Sequence, residues 1–265
     1  MKTSDFIVPN WPAPANVHAL QTTRTSTSSN KGYSLAPYNS LNFGSHVKDN
    51  PMHVAQNRQL LNQFLPSEPV WLNQVHGVVV VDAANTSCVD IKCIPSADAS
   101  FSIKKNVVCV VMTADCLPIL LCNEEGTAVA AVHAGWRGLC DGALEASIDN
   151  ACRAAQIKSA DLMAWLGPAI GSNAFEVGAE VRAQFIQKNA QAESAFKPYG
   201  DNQEQDKWLA DIYQLATQRL NNVGVTNIYG GGHNENFCTF NDEERFFSYR
   251  RDGVTGRMAT LIWLA

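Results

Sequence analysis

The sequence has no excess of positive charge. Its 20 Lys and Arg are outnumbered by 25 Asp and Glu, for a formal net charge of -5, which argues against a nucleic-acid surface built on basic residues. It has no apolar run near the roughly 18 residues needed to span a bilayer. The longest runs, 107–111 and 117–122, are interrupted by Thr113 and Asp115. The first six residues carry Asp5 and lead early into Pro9 and Pro12, so the apolar stretch of a secretory signal is lacking. These absences predict a soluble, cytoplasmic chain with no membrane or nucleic-acid partner.

There is no Cys-x-x-Cys among the 8 cysteines, and no His-x-His pair among His18, His46, His53, His76, His133 and His233. Cys88, Cys93, Cys109, Cys122, Cys140 and Cys152 are unevenly spaced, mostly in apolar surroundings. That pattern predicts reduced core thiols rather than a disulfide framework.

What is present suits a packed globular chain. Apolar residues make up 46% and charged residues 17% of the 265, enough to bury a sizeable core. Residues 22–38 are rich in Thr, Ser, Asn and Gly and predict a polar loop. Asp49-Asn50-Pro51 reads as a helix start, with a helix over 52–65. Strands are expected at 70–75 and 78–81, flanking a turn at His76-Gly77, and at 107–113, 119–122 and 128–132. The last three are nearly all apolar, as in strands covered on both faces. After Gly138, the recurrence of Leu144, Ile148, Ala151 and Ala155 predicts a helix. Further helices are expected over 176–188 and 207–222, the latter burying Ile212, Leu215, Ala216 and Leu220. A surface loop over 189–205 and a closing strand over 257–264 complete the reading. No repeat or linker divides the chain, so the fold expected is α/β, or α+β, in one domain over residues 1–265.

Polar, reactive residues interrupt the apolar strands in three places: Asn73-Gln74-Val75-His76-Gly77, Thr113-Ala114-Asp115-Cys116-Leu117-Pro118 and His133-Ala134-Gly135-Trp136-Arg137-Gly138. Each falls where a strand ends and its side chains project into a shared crevice. Two imidazoles and a thiolate from His76, His133 and Cys116 suit a zinc ion with one open coordination position. The same residues suit a cysteine nucleophile with a histidine base, Asp115 orienting an imidazole. Residue types alone leave both readings open. Gly135 and Gly138 at a helix entrance, with Arg137, also suit an anion. Gly230 to Gly232 with His233 reads as a flexible turn, and Arg250-Arg251-Asp252-Gly253 as a charged turn or, if folded against the crevice, an anion contact.

These three motifs resemble the laccase-domain family, also called YfiH-type proteins. The likeness continues through Thr22-Thr23-Arg24, residues 40–47 including Asn42 and His46, 166–171, 175–178 and 246–253. It departs from the family pattern after Arg24 and at Ser172-Asn173. The resemblance implies αββα-type layers with mixed β-sheets and a zinc ion on His76, Cys116 and His133. It also implies purine nucleoside phosphorylase activity on adenosine, inosine, guanosine and methylthioadenosine, with adenosine deaminase activity besides. The partners implied are purine nucleosides and phosphate. Candidate contacts to substrate or phosphate are Arg24, Asn42, Gln74, Gly135, Arg137 and Arg250. Cys116, Asp115 and His46 are the candidates for catalysis. An amidase or cysteine hydrolase that edits peptidoglycan through Cys116 is the alternative. A multicopper polyphenol oxidase is disfavoured, because its copper cluster needs paired His-x-His motifs.

Overall fold

The computed structural model describes residues 1–27, 31–86, 94–200, 206–231 and 237–265. Its centre is a six-stranded mixed sheet formed by β2 (Val80–Asp82), β3 (Ala99–Ser102), β5 (Leu117–Asn123), β6 (Val129–Ala134), β7 (Leu162–Leu166) and β11 (Asn227–Gly230). Their order is β11-β7-β5-β6-β3-β2. The β11–β7 and β2–β3 pairs are parallel and the rest antiparallel. A second, antiparallel sheet has the order β1 (Val17–Gln21), β12 (Met258–Leu264) and β4 (Cys109–Thr113). A third, smaller one joins β8 (Glu176–Gly178), β10 (Lys207–Ala210) and β9 (Phe196–Pro198).

Two-sided burial explains the apolar runs. In β5, Ile119 and Leu121 face one core with Leu144, Ile148 and Ala151 of α3 (Ala143–Ala155) and Leu215 and Leu220 of α5 (Ile212–Asn222). Their neighbours Leu120 and Cys122 face the opposite core, against Cys109, Val111, Met258 and Ile262 of the second sheet. Successive strand side chains alternate faces, so both sets are apolar. The outer face of the second sheet, through Val110, Leu261 and Trp263, packs on Leu61 of α1 (Pro51–Asn62) and on Phe43. The layers therefore run helix, sheet, sheet, helix. This is the expected α/β fold with mixed sheets.

Asn50 caps α1, its side chain accepting from the Met52 nitrogen at 2.9 Å with Pro51 in the first turn. That helix stops at Asn62, short of residue 65. The helix expected over 176–188 divides into β8 and α4 (Ala179–Lys188), and that over 207–222 into β10 and α5. Asp211 sets the second division by capping Gln214 at 2.9 Å. The loop expected over 189–205 contains a 3₁₀ segment (Ala190–Ala195) and β9, because Ala192, Ala195 and Phe196 are buried; residues 201–205 lie outside the described ones. The strand expected over 70–75 makes only isolated bridges, Val70 to Cys109 and Asn73 to Ser96. The Gln74 side chain replaces the ladder there. Its Nε2 donates to the Met112 carbonyl at 2.8 Å and its Oε1 accepts from the Met112 nitrogen at 2.7 Å. Strands β1, β3, β7 and β11 are additions to the expected set. Gly232 and His233, from the glycine-rich turn, lie outside the described residues. Among the described residues, no helix is long and apolar enough to cross a membrane.

Candidate metal centre

Pairing of β5 with β6 sets Leu117 opposite Ala134 and Pro118 opposite His133. That register brings Cys116 and His133 together at one sheet end. His76 arrives from the 70–77 segment in a left-handed conformation, φ 61°. Its Nε2 lies 3.7 Å from Cys116 Sγ, and its ring meets that of His133 edge-on with centroids 4.8 Å apart. The donor atoms of His76, Cys116 and His133 all lie within 4.8 Å of one another. The arrangement can hold a metal ion.

Asp98, just ahead of β3 and fully buried, builds this arrangement. Its Oδ1 accepts from His133 Nδ1 at 2.8 Å and from the His76 nitrogen at 2.8 Å. Its Oδ2 accepts from the Gly77 nitrogen at 2.6 Å and the Val75 nitrogen at 3.2 Å. An engaged Nδ1 leaves His133 Nε2 to face the centre, the orientation a carboxylate imposes on a metal-ligating imidazole. Despite its burial, Asp98 stays below its ordinary pKa because of His133 and these amide donors.

Burial alone would raise the Cys116 thiol, but His133 and His76 outweigh it and bring it down to about 6. For His133, burial works downward, while Cys116 and Asp98 raise it. The two shifts favour the thiolate and the imidazolium as a pair, and a metal ion bound here would take the place of the proton.

Gly135, at the entrance of α2 (Trp136–Asp141), makes room for the side chains of this triad. A Cβ there would stand 2.6 Å from His76 Cδ2 and 3.2 Å from Cys116 Sγ. A Cβ on Gly138 would stand 2.8 Å from the Gly77 carbonyl oxygen. Both glycines sit where the chain packs too closely for a side chain, and α2 is only six residues long.

Two chambers open from the centre. An outer one of about 230 Å³ includes Trp136, Arg137, Phe175, Tyr249 and Arg250 in its walls. An inner one of about 390 Å³ includes His46, Gln74, Thr113, His133 and Arg257. His76, Cys116 and Tyr249 line both. A groove of about 430 Å³ near Trp11, His18 and Trp263 includes no ligand.

The other candidates divide between wall and frame. Arg137 is exposed on the outer chamber, its guanidinium 4.3 Å over the Trp136 ring. Arg250 lines the same chamber, with Nη1 donating to the Glu176 carbonyl at 2.9 Å, so the 250–253 segment does reach the crevice as part of α6 (Tyr249–Asp252). Asp115 borders the outer chamber, but its carboxylate accepts from Thr239 Oγ1 at 2.7 Å and the Arg250 nitrogen at 2.6 Å. With φ 94°, it is a pinned, left-handed residue that aims Cys116. Arg24 lines neither chamber and donates to the Glu243 carbonyl at 2.9 Å. Asn42 is fully buried beneath the inner chamber, its amide spent on Gly44, Asp49 and Arg257. Gln74 lines the chamber with its amide spent on Met112. His46 lines the inner chamber, pushed down to about 4 by burial and by Arg257 and Arg58. Asp98 and Arg257 were absent from the expected set. Asp98 follows a proline in a run of small residues, and Arg257 reads as the first residue of a strand.

A family model described as multi-copper polyphenol oxidoreductase laccase matches residues 21–265. The chain is 53% identical over 263 residues to the purine nucleoside phosphorylase YfiH of Shigella flexneri, covering 98% of this chain and 99% of that one. It is 49% identical to a purine nucleoside phosphorylase of Pseudomonas aeruginosa, with 98% of each covered. A Neisseria meningitidis crystal structure aligns with a TM-score of 0.86 at 47% identity, over 98% of this chain and 99% of that one. That of YlmD from Geobacillus stearothermophilus aligns at 0.83 and 26%, over 100% and 97%.

Proposed function

Since the chain belongs to the family described as multi-copper polyphenol oxidoreductase laccase, we propose that it works as a zinc-dependent purine nucleoside phosphorylase. The substrates are adenosine, inosine, guanosine and methylthioadenosine, with adenosine deamination as a second activity. The observation that carries this reading is a His₂Cys donor set opening on two chambers of different chemistry. The names of the relatives support the phosphorylase.

The donor set favours zinc over a copper cluster. Two imidazoles and one thiolate leave a fourth tetrahedral position open. Among the described residues, His76, Cys116 and His133 are the one group of three or more His, Cys, Asp or Glu able to hold a metal, whereas a multicopper centre needs several such groups. When bound, the ion supplies Lewis acidity at the junction of the chambers.

The chain's own residues would do the rest. In phosphorolysis a phosphate oxygen bonds to the anomeric carbon while the bond to the purine nitrogen breaks. The electron pair leaves on the purine, which takes up a proton. The rings of Trp136, Phe175 and Tyr249 offer faces for the base, and Arg137 and Arg250 add donors at the same wall. Held neutral, His46 can pass a proton. Gln74 and Asp115 line the chambers with their polar groups spent on the frame, and Arg24, Asn42 and Gly135 support the walls. Because its walls come from residues as distant as His46 and Arg257, we take residues 1–265 as one domain serving this site.

Product analysis tests the reading. With adenosine, the zinc-loaded protein should release adenine and ribose 1-phosphate only when phosphate is present, and inosine in either case. Untouched nucleosides together with cleavage of a muropeptide would replace it by the Cys116 hydrolase.

A further inference from the structure

Arg257 stands just ahead of β12, partly buried, and lines the inner chamber with Cys116, His133 and His46. Nη1 donates to the Thr255 carbonyl at 3.1 Å and the Gly256 carbonyl at 2.9 Å. Among the described residues no carboxylate forms an ion pair with it. Asp115 is near enough to act on it electrostatically, but both Asp115 oxygens are committed to Thr239 and Arg250. Cys116 is the other negative neighbour, and it belongs to the ligand set. A partly buried cation with no carboxylate paired to it is costly, and a bound anion relieves that cost.

The frame around Arg257 is elaborate for a surface arginine. Asn42 Oδ1 accepts from the Arg257 nitrogen at 2.9 Å and from the Gly44 nitrogen at 2.8 Å. Gly44 carries no Cβ, which would stand 2.8 Å from Arg257 Cγ. The same turn carries His46 into the chamber. Thr113 Oγ1, buried and without a hydrogen-bond partner, lines that chamber too. A guanidinium without a carboxylate, a spare hydroxyl and an imidazole thus line one chamber together with Cys116. The outer chamber, by contrast, is walled by aromatic rings.

We propose that Arg257 and His46 form a subsite for inorganic phosphate in the inner chamber, which places the purine in the outer one. The inference rests on the phosphorylase reading and assigns its two substrates to separate walls. Planar guanidinium geometry matches two phosphate oxygens at once, which a lysine ammonium does not reproduce.

Steady-state rates of the zinc-loaded protein, with phosphate and adenosine varied in turn, test the assignment. Arg257→Lys should raise the KM for phosphate by about tenfold or more and leave the KM for adenosine within about twofold. His46→Gln should shift the same parameter in the same direction. Inorganic phosphate alone should raise the melting temperature of the wild type and not that of Arg257→Lys. A phosphate KM unchanged in either variant, or an adenosine KM rising by the same factor, would overturn the proposal. If Arg257→Lys fails to fold, His46→Gln decides it, since its ring lies on the chamber wall. A wild type that yields no ribose 1-phosphate sinks the phosphorylase instead. Phosphate-dependent stabilisation lost in Arg257→Lys would then still establish the anion subsite.

Discussion

Asp98 Oδ1 lies 2.8 Å from His133 Nδ1 and also accepts from the His76 nitrogen at 2.8 Å, so a single oxygen ties together the segments that carry the two histidines. The buried carboxylate supplies the negative charge that a ligating imidazole leans on. Asp98→Asn keeps the size and one acceptor but loses the charge. Metal affinity should fall by about 10- to 100-fold, the usual cost of such a partner. Chelator competition on the purified protein measures this directly. Affinity equal to wild type would mean that the carboxylate only braces the His76 turn.

Gly135→Ala attacks the same centre by volume. Its φ of -66° and ψ of 156° suit alanine, so the backbone tolerates the change. The added methyl nevertheless falls 2.6 Å from His76 Cδ2, and the imidazole must move. Metal content should drop well below that of wild type, while the melting temperature of the metal-free protein falls by only a few degrees, as for a loss of about 1 kcal/mol. Elemental analysis beside a thermal scan separates the two effects. Full metal content would show that His76 has room to yield.

These two residues mark the boundary of what the sequence makes legible. His76, Cys116 and His133 can be picked out because each interrupts an apolar strand, and a side chain that is reactive where the pattern calls for apolar needs a reason. The two-faced burial of β4, β5 and β6 is legible for the same cause. Asp98 is not, since Ser96-Ala97-Asp98-Ala99-Ser100 has the composition of a turn. Its importance comes from partners 22 and 35 residues away. Arg257 is hidden in the same way, since Asn42 and Gly44, which frame it, and His46, which shares its chamber, lie more than 200 residues away in the chain. The 70–75 segment misleads because its valines mimic a strand, while a glutamine side chain makes the pairing.

Cys116 should be the fastest-alkylated of the described cysteines once metal is removed. Its thiol is lowered to about 6 by the neighbouring histidines, whereas burial raises Cys109 and Cys122 to about 12. A depressed thiol is thiolate above that value and is lost below it, so the iodoacetamide rate should be level near pH 8 and fall through pH 6. Peptide mapping after timed alkylation locates the label. Zinc added beforehand should protect the site. A rate still rising between pH 7 and 9 would show that the imidazoles do not hold the thiolate.

Arg137 lines the outer chamber and not the inner one. It was a phosphate candidate by position, four residues beyond ligand His133, but its guanidinium lies over the Trp136 ring with no acidic partner among the described residues. It borders the aromatic chamber and not the one that contains Arg257. Arg137→Ala should therefore weaken the nucleoside rather than the phosphate. Loss of an exposed stacked cation and one polar contact is worth about 1 to 2 kcal/mol, a drop in kcat/KM for adenosine of roughly five- to thirtyfold. The phosphate KM should stay within about twofold, and deamination should fall with phosphorolysis, because both reactions need the same bound purine. Zinc content and melting temperature should hold, since the side chain is exposed and outside the ligand set. A selective rise in phosphate KM, with deamination intact, would return the anion to the α2 entrance and take it away from Arg257.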